Sequence, residues 1–262
     1  MSGTPTIVFI HGAWMTPKCW DKFIPYFENA GYKCLAPAWP FKEGNVEMQQ
    51  NNPDERLKNL RIDDIVDHYA EIIEKMDEPP VLIGHSFGGL FVQMLLDRGL
   101  GSAGVAIDSA PPRSVFPYYI SAIRANFWIL KNPLNQKKVL RISPKNFNYA
   151  FIHTLSEEEQ KQVYEKYVVP ESGKIFFEAA FSKFNGKAKV NFKNDTRSPL
   201  LMISGKEDKI IPNKMNRGNF KKYAHSAART DFKEFEGRTH WIIALDGWED
   251  VASYISNWIS EL

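Results

Sequence analysis

Cysteine is nearly missing from this sequence: only Cys19 and Cys34 occur, in neither a C-x-x-C pair nor a metal-ligand spacing. One disulfide is open on count alone, but 262 residues can bury a core that needs none. A reduced, cytoplasmic protein is expected, with Cys34 a buried thiol in a core strand. Long apolar runs are also lacking, so nothing can span a bilayer and no membrane partner is expected. The chain opens without a basic leader segment, and no signal peptide is expected. Charge of one sign is not in surplus: 33 basic residues face 31 acidic ones. That balance gives no reason to expect a nucleic-acid partner, and Lys137, Lys138 and Arg141 read as a solvated face. Internal repeats and low-complexity tracts are absent.

What is present is an alternation of strand and helix patterns. Thr6 to Ile10 reads as a strand, Cys19 to Ala30 as a helix, and Tyr32 to Ala38 as a second strand. Residues 40 to 61 are polar, rich in turn residues, and read as an excursion near the sheet's edge. Ile62, Ile65, Val66, Tyr69, Ile72, Ile73 and Met76 recur at helical spacing, with His68 off that face at the surface. Strands follow at 80–84, 104–107, 198–204 and 231–235, and a last helix runs from Val251 to Leu262. Strands separated by helices imply a mostly parallel sheet covered on both faces, with ligands beyond its carboxyl edge.

The alternation breaks between residues 111 and 195, where helical patterns dominate. Ser156 to Glu159 is a capping box that opens a helix through Val168. We expect this stretch to form a helical cap, set into a core of residues 1–110 and 196–262. The cap is rich in aromatics, most of them its own core. Its inner surface must still meet the substrate, which is expected to be small and hydrophobic.

Chemistry gathers at the predicted strand ends. Gly84-His-Ser-Phe-Gly88 lies between an apolar strand and an apolar helix, as a nucleophile elbow requires. Alone the pattern is weak, since chance supplies it in roughly one chain of this length in ~20. Ser86 needs a base. Of six histidines, His240 occupies the loop between the last strand and the last helix, where it can reach over the sheet. His11 ends the first strand, His85 lies inside the elbow, His153 belongs to the cap and His225 to a helix end. Asp208, after a glycine turn beyond the fifth strand, suits the orienting carboxylate. Asp108, at the end of the fourth strand, competes for that role; otherwise it fixes the turn into the cap. The oxyanion needs backbone donors, expected from Phe87 and from Ala13, with Trp14 the near alternative. Trp14, His85 and Trp241 are expected to contact substrate.

Phe9-Ile-His-Gly-Ala13, Gly84-His-Ser-Phe-Gly-Gly89, Gly205-Lys-Glu-Asp208 and Thr239-His240, in this order, resemble the motifs of the α/β-hydrolase superfamily. The resemblance covers all but the cap and is nearest to small, capped esterases. It implies an α/β-hydrolase fold with Ser86 as nucleophile, Asp208 as acid, His240 as base, and Ala13 and Phe87 as oxyanion donors. The usual two leading strands are missing, which predicts a sheet of about six. A carboxylesterase with no cofactor and no metal follows. Relatives that open epoxides or displace halide carry aspartate at the elbow, and Ser86 argues against both. Two alternatives stay open: a hydroxynitrile-lyase-like enzyme, which a lysine in the pocket would support, and a ligand receptor with little turnover. The sequence leaves the oligomeric state open.

Overall fold

In the computed structural model, which describes residues 5–262, the chain forms eight strands among the described residues. They are β1 (Thr6–Ile10), β2 (Lys33–Leu35), β3 (Val81–His85), β4 (Ala103–Ile107), β5 (Val139–Leu140), β6 (Glu171–Ser172), β7 (Leu200–Gly205) and β8 (Thr230–Phe235). The reading of the first four residues as lacking a leader lies outside the described residues. Six strands make one sheet in the order β2-β1-β3-β4-β7-β8, every pairing parallel. The inner strands β3, β4 and β7 are buried throughout and almost continuously apolar, as a sheet covered on both faces demands. The order runs outward from β1 to β2, then returns to β3 on the other side of β1. Loops leaving β1 and β3 therefore diverge, and a crevice opens between them at the carboxyl edge.

The helices are α1 (Phe23–Asn29), α2 (Val46–Asn51), α3 (Ile62–Ile73), α4 (Phe87–Asp97), α5 (Ile120–Leu130), α6 (Pro144–Phe151), α7 (Glu157–Tyr167), α8 (Gly173–Ala180), α9 (Ser182–Asn185), α10 (Asn213–Lys222) and α11 (Trp248–Ser260). Around the sheet, α1 packs against α11 and α3 against α4. Five helices, α5 to α9, lie between β4 and β7, together with the short antiparallel β5–β6 ladder. The Ser156–Glu159 capping box opens α7 as its sequence predicts. No helix among the described residues is long and apolar enough to cross a membrane.

Local differences from the sequence reading have plain causes. The helix expected from Cys19 begins instead as a short 3-10 turn, Pro17–Trp20, capped by Thr16, and α1 starts only at Phe23. The second strand shrinks to three residues: it sits at the edge of the sheet, and Pro37 has no N–H to offer a ladder. Cys34 is half-buried there rather than buried, and both cysteines are free. Residues 40–61 hold α2 and a 3-10 turn at Glu55–Asn59, and they carry Lys42 to complete burial. His68 is not a free surface group, since its Nε2 bonds the Ala38 carbonyl at 3.0 Å.

Candidate active site

The turn from β3 into α4 is held by close backbone approach. A Cβ on Gly84 would lie 2.2 Å from the Gly88 carbonyl oxygen, and one on Gly88 would lie 2.0 Å from that of Ile10. Neither position can carry a side chain without moving backbone. Between them Ser86 takes φ 58° and ψ −119°, a conformation costly for a non-glycine residue. Its surroundings impose it: Ser86 N–H donates to Ile107 O at 2.9 Å, and Ala110 N–H donates to Ser86 O at 2.9 Å. The strained residue is thus stitched to β4 from both of its backbone groups.

His240 reaches the same region from the loop after β8. Its Nδ1–H donates to Asp208 Oδ2 at 2.6 Å, and both side chains are fully buried. Asp208 Oδ1 accepts two more bonds at 2.8 Å, from the Ile210 and Ile211 N–H groups. Burial pushes the Asp208 carboxyl up, and the backbone donors of Ile211 and Ile210 pull it back toward the charged form. Burial also lowers the His240 imidazole to about 3, so the ring is neutral near pH 7. With the proton on Nδ1, Nε2 keeps a free lone pair and has no protein partner among the described residues. Ser86 Oγ does not bond that nitrogen here; such contacts are often long before substrate binds.

Asp108, the rival acid, stands close by at φ 41°. It accepts one bond, from Gly205 N–H at 2.8 Å, and its Oδ2 has no partner. Burial, and then the charge of Asp208, hold it well above the usual carboxylate range. Of two neighbouring buried carboxyls, both pushed up by burial, Asp208 has the larger set of donors, from His240, Ile210 and Ile211, and is the better placed to hold charge. Asp108 ties β4 to the end of β7 rather than fixing a turn into the insertion.

Two residues expected at the substrate stand elsewhere. His85 ends β3 pointing away from the crevice, completely buried. Its Nε2–H donates to the His240 carbonyl at 2.7 Å, and the two rings lie 4.6 Å apart. It therefore holds the histidine loop against the elbow. Trp241 is buried with its ring 5.1 Å from Tyr167, and its N–H donates to Phe151 O at 3.3 Å. The chain turns after His240, so the next side chain faces the opposite way. His11 is likewise structural: its ring stacks on Trp39 at 4.7 Å, and its Nε2 accepts from Trp39 N–H.

The backbone groups of the loop after β1 are unequally engaged. Trp14, at φ 67°, gives its N–H to Glu171 Oε2 at 3.2 Å, and its carbonyl accepts from Val169 N–H at 2.9 Å. Both of its backbone groups are thereby committed to the insertion. Ala13 N–H and Phe87 N–H donate to no protein group among the described residues, and both residues line the cavity. Glu171 also receives Lys42 Nζ at 2.6 Å, an ion pair with neither side chain exposed. Sequence reasoning missed this pair. Nothing local in the sequence marks either residue as buried.

A cavity of about 150 Å³ opens over Ser86. Trp14, Phe87, Phe151, Phe176, Ile211 and Met215 contribute to its apolar walls, and Ser86, Tyr118 and Asn126 supply its hydroxyl and amide groups. Among the described residues no charged side chain lines it, and in particular no lysine. Of the three predicted substrate contacts, only Trp14 is among the lining residues.

The model of the alpha/beta hydrolase family matches residues 7–253. Norfluorocurarine synthase 2 from a Strychnos species is 29% identical over 123 residues, 44% of this chain and 42% of that protein. Norfluorocurarine synthase 1 from Strychnos nux-vomica is 24% identical over 174 residues, 58% of this chain and 61% of that protein. The chain thus spans between about two fifths and three fifths of the length of the curated relatives it matches. Among solved structures, the monoacylglycerol lipase of Paleococcus ferrophilus superposes with a TM-score of 0.69 at 22% identity, covering 98% of this chain and 95% of that one. A methylesterase from Arabidopsis gives 0.71 at 15% identity, covering 99% and 100%. At these identities the likeness is one of fold.

Proposed function

Because the chain belongs to the alpha/beta hydrolase family, we propose that it is a serine esterase that cleaves small, uncharged, hydrophobic esters through an acyl-enzyme on Ser86. The observation that supports this reading is the His240–Asp208 bond of 2.6 Å, which leaves His240 Nε2 without a protein partner, in a fold whose elbow serine lines an uncharged cavity. Ser86 Oγ attacks the ester carbonyl as His240 Nε2 takes its proton. Charge that develops on the carbonyl oxygen is met by the N–H groups of Phe87 and Ala13; each such donor is worth ~100- to 1,000-fold in rate. The Phe87 donor sits at the first turn of α4, where the helix dipole adds to it. Collapse returns the proton from His240 to the leaving alcohol, and water then clears the acyl group by the same steps. The insertion acts as the cap whose inner wall selects the substrate. With an apolar lining, it favours acyl or alcohol groups without charge, since a buried unpaired charge would be costly.

A fluorophosphonate probe tests the reading. One equivalent should label the wild-type protein and none should label Ser86→Ala. Well-folded wild-type protein that neither reacts nor turns over p-nitrophenyl esters would overturn it. Cyanohydrin cleavage without ester turnover would point to lyase chemistry instead.

A further inference from the structure

The outer face of α5 runs against the usual pattern. Its exposed positions are Ile120, Ile123, Arg124 and Phe127, with Lys131 exposed at its C-cap, so three of the four on the helix are large and apolar, while small Ala122 and Ala125 face inward. Ile120 is 88% exposed and Phe127 60%. Just before the helix, Phe116 and Tyr118 are also about three-fifths exposed, their rings 5.5 Å apart. Exposure of this kind is not scattered: eight of the ten large apolar side chains exposed among the described residues fall between 116 and 184. A patch so gathered marks a docking surface.

Charge identifies what docks. From residue 109 to residue 156 the sequence has seven arginines and lysines and not one aspartate or glutamate. None of the seven forms an ion pair among the described residues. Along α5 and its C-cap, Arg124 lies one turn after Ile120 and Lys131 one turn after Phe127, so cations alternate with apolar groups along one stripe. A second copy of this chain would set like charges against each other. Tyr118 and Ile123 belong both to this exposed face and to the lining of the cavity over Ser86, so the cavity opens within the patch.

We propose that this face docks on an anionic phospholipid surface. Ile120 and Phe127 enter the boundary between headgroups and acyl chains, and Arg124 and Lys131 meet lipid phosphates. The cavity mouth then faces the lipid, from which an apolar substrate can pass to Ser86 without crossing water. The expectation of no membrane partner rested on the lack of a spanning run, and peripheral docking requires none.

Flotation with phosphatidylcholine vesicles, with and without phosphatidylglycerol, tests this using the full chain. The Ser86→Ala variant serves as well as wild type, so the outcome is independent of whether the protein is an esterase. Both should float with the anionic vesicles, less with neutral ones, and less as salt is raised. Lys131→Ala should lower binding roughly fivefold, and Ile120→Glu with Phe127→Glu by about tenfold or more. None of these three positions lines the cavity, so turnover of a water-soluble ester should stay within about twofold of wild type. Failure to float with anionic vesicles, or binding that these substitutions leave unchanged, would overturn the proposal. So would a wild-type dimer on sizing that the double variant abolishes, because a second copy would then be the occupant.

Discussion

The insertion meets its surroundings in two opposite ways. Along the seam with the core it presents charge to the interior: Glu171 meets Lys42 at 2.6 Å with no exposure of either side chain. Along α5 it presents hydrophobe to solvent, with Ile120 and Phe127 mostly uncovered. Each reverses what its residue type ordinarily does, and each reversal has a different consequence. The seam pair is desolvated, so removing one partner leaves a buried charge unpaired. The α5 face is solvated, so replacing its residues costs the fold little. Glu171 also holds Trp14 N–H, which ties the seam to the loop after β1, while α5 turns its inner residues Ala122, Asn126 and Leu130 to the cavity and its outer face to solvent.

Breaking the acid at the crest of the core should have the largest effect. Asp208→Asn should lower kcat by about 10,000-fold in ester hydrolysis, because the His240 tautomer is lost. Asp108→Asn, at a carboxyl that bonds Gly205 N–H rather than His240, should stay within about tenfold. Equal losses in the two variants would mean that the acid role is shared.

At the seam, Glu171→Ala should destabilise the protein by about 3–5 kcal/mol in urea unfolding, because it strands Lys42. Replacing both, Lys42→Met with Glu171→Leu, should recover most of that stability. It should not recover kcat, since Trp14 loses its acceptor and the loop that carries Ala13 loosens. Restoration of both together would reduce Glu171 to a purely structural role.

The pH dependence of stability lies between these and the surface. Burial holds His240 at about 3 in the folded chain, below the ordinary imidazole value. Between those values the unfolded chain binds the extra proton, so stability is lost as pH falls. From pH 7 to pH 5 the loss attributable to His240 should be about 2 kcal/mol. Asp108 and Asp208, both held high, titrate with the opposite sign, so the measurement is the difference between wild type and His240→Gln at each pH. For the same reason the acid limb of kcat/KM should lie below about pH 6.5.

The smallest effect is predicted on α5. Ile120→Glu should change stability by no more than about 0.5 kcal/mol, even though it places a charge where a large apolar group stood. A loss comparable to that of Glu171→Ala would show that the face is covered in solution, and the contrast between the two regions would collapse.

Much of the core was legible from the chain alone. Runs such as Thr6–Ile10 and Leu200–Gly205 announce buried parallel strands because both of their faces must be apolar. The glycines of the elbow were legible because backbone there leaves no room for a Cβ. Side-chain direction at strand ends was not. His85 and Trp241 sit next to Ser86 and His240 in sequence, yet the pleat and the following turn aim both away from the cavity. The Lys42–Glu171 pair was hidden by its 129-residue separation and by the habit of both residue types to stay in water. Nothing local marks a charge that will be paired only after two distant segments close over it.

The sequence by itself determined the order of strands and the residue types that crown them, because periodicity and close approach act over a few neighbours. Only the tertiary structure decided which carboxyl His240 meets, which backbone N–H of the first loop stays free, and which apolar side chains of the insertion remain uncovered. Those outcomes depend on donors and contacts brought from separate segments. They exist only once the sheet and the insertion have packed together.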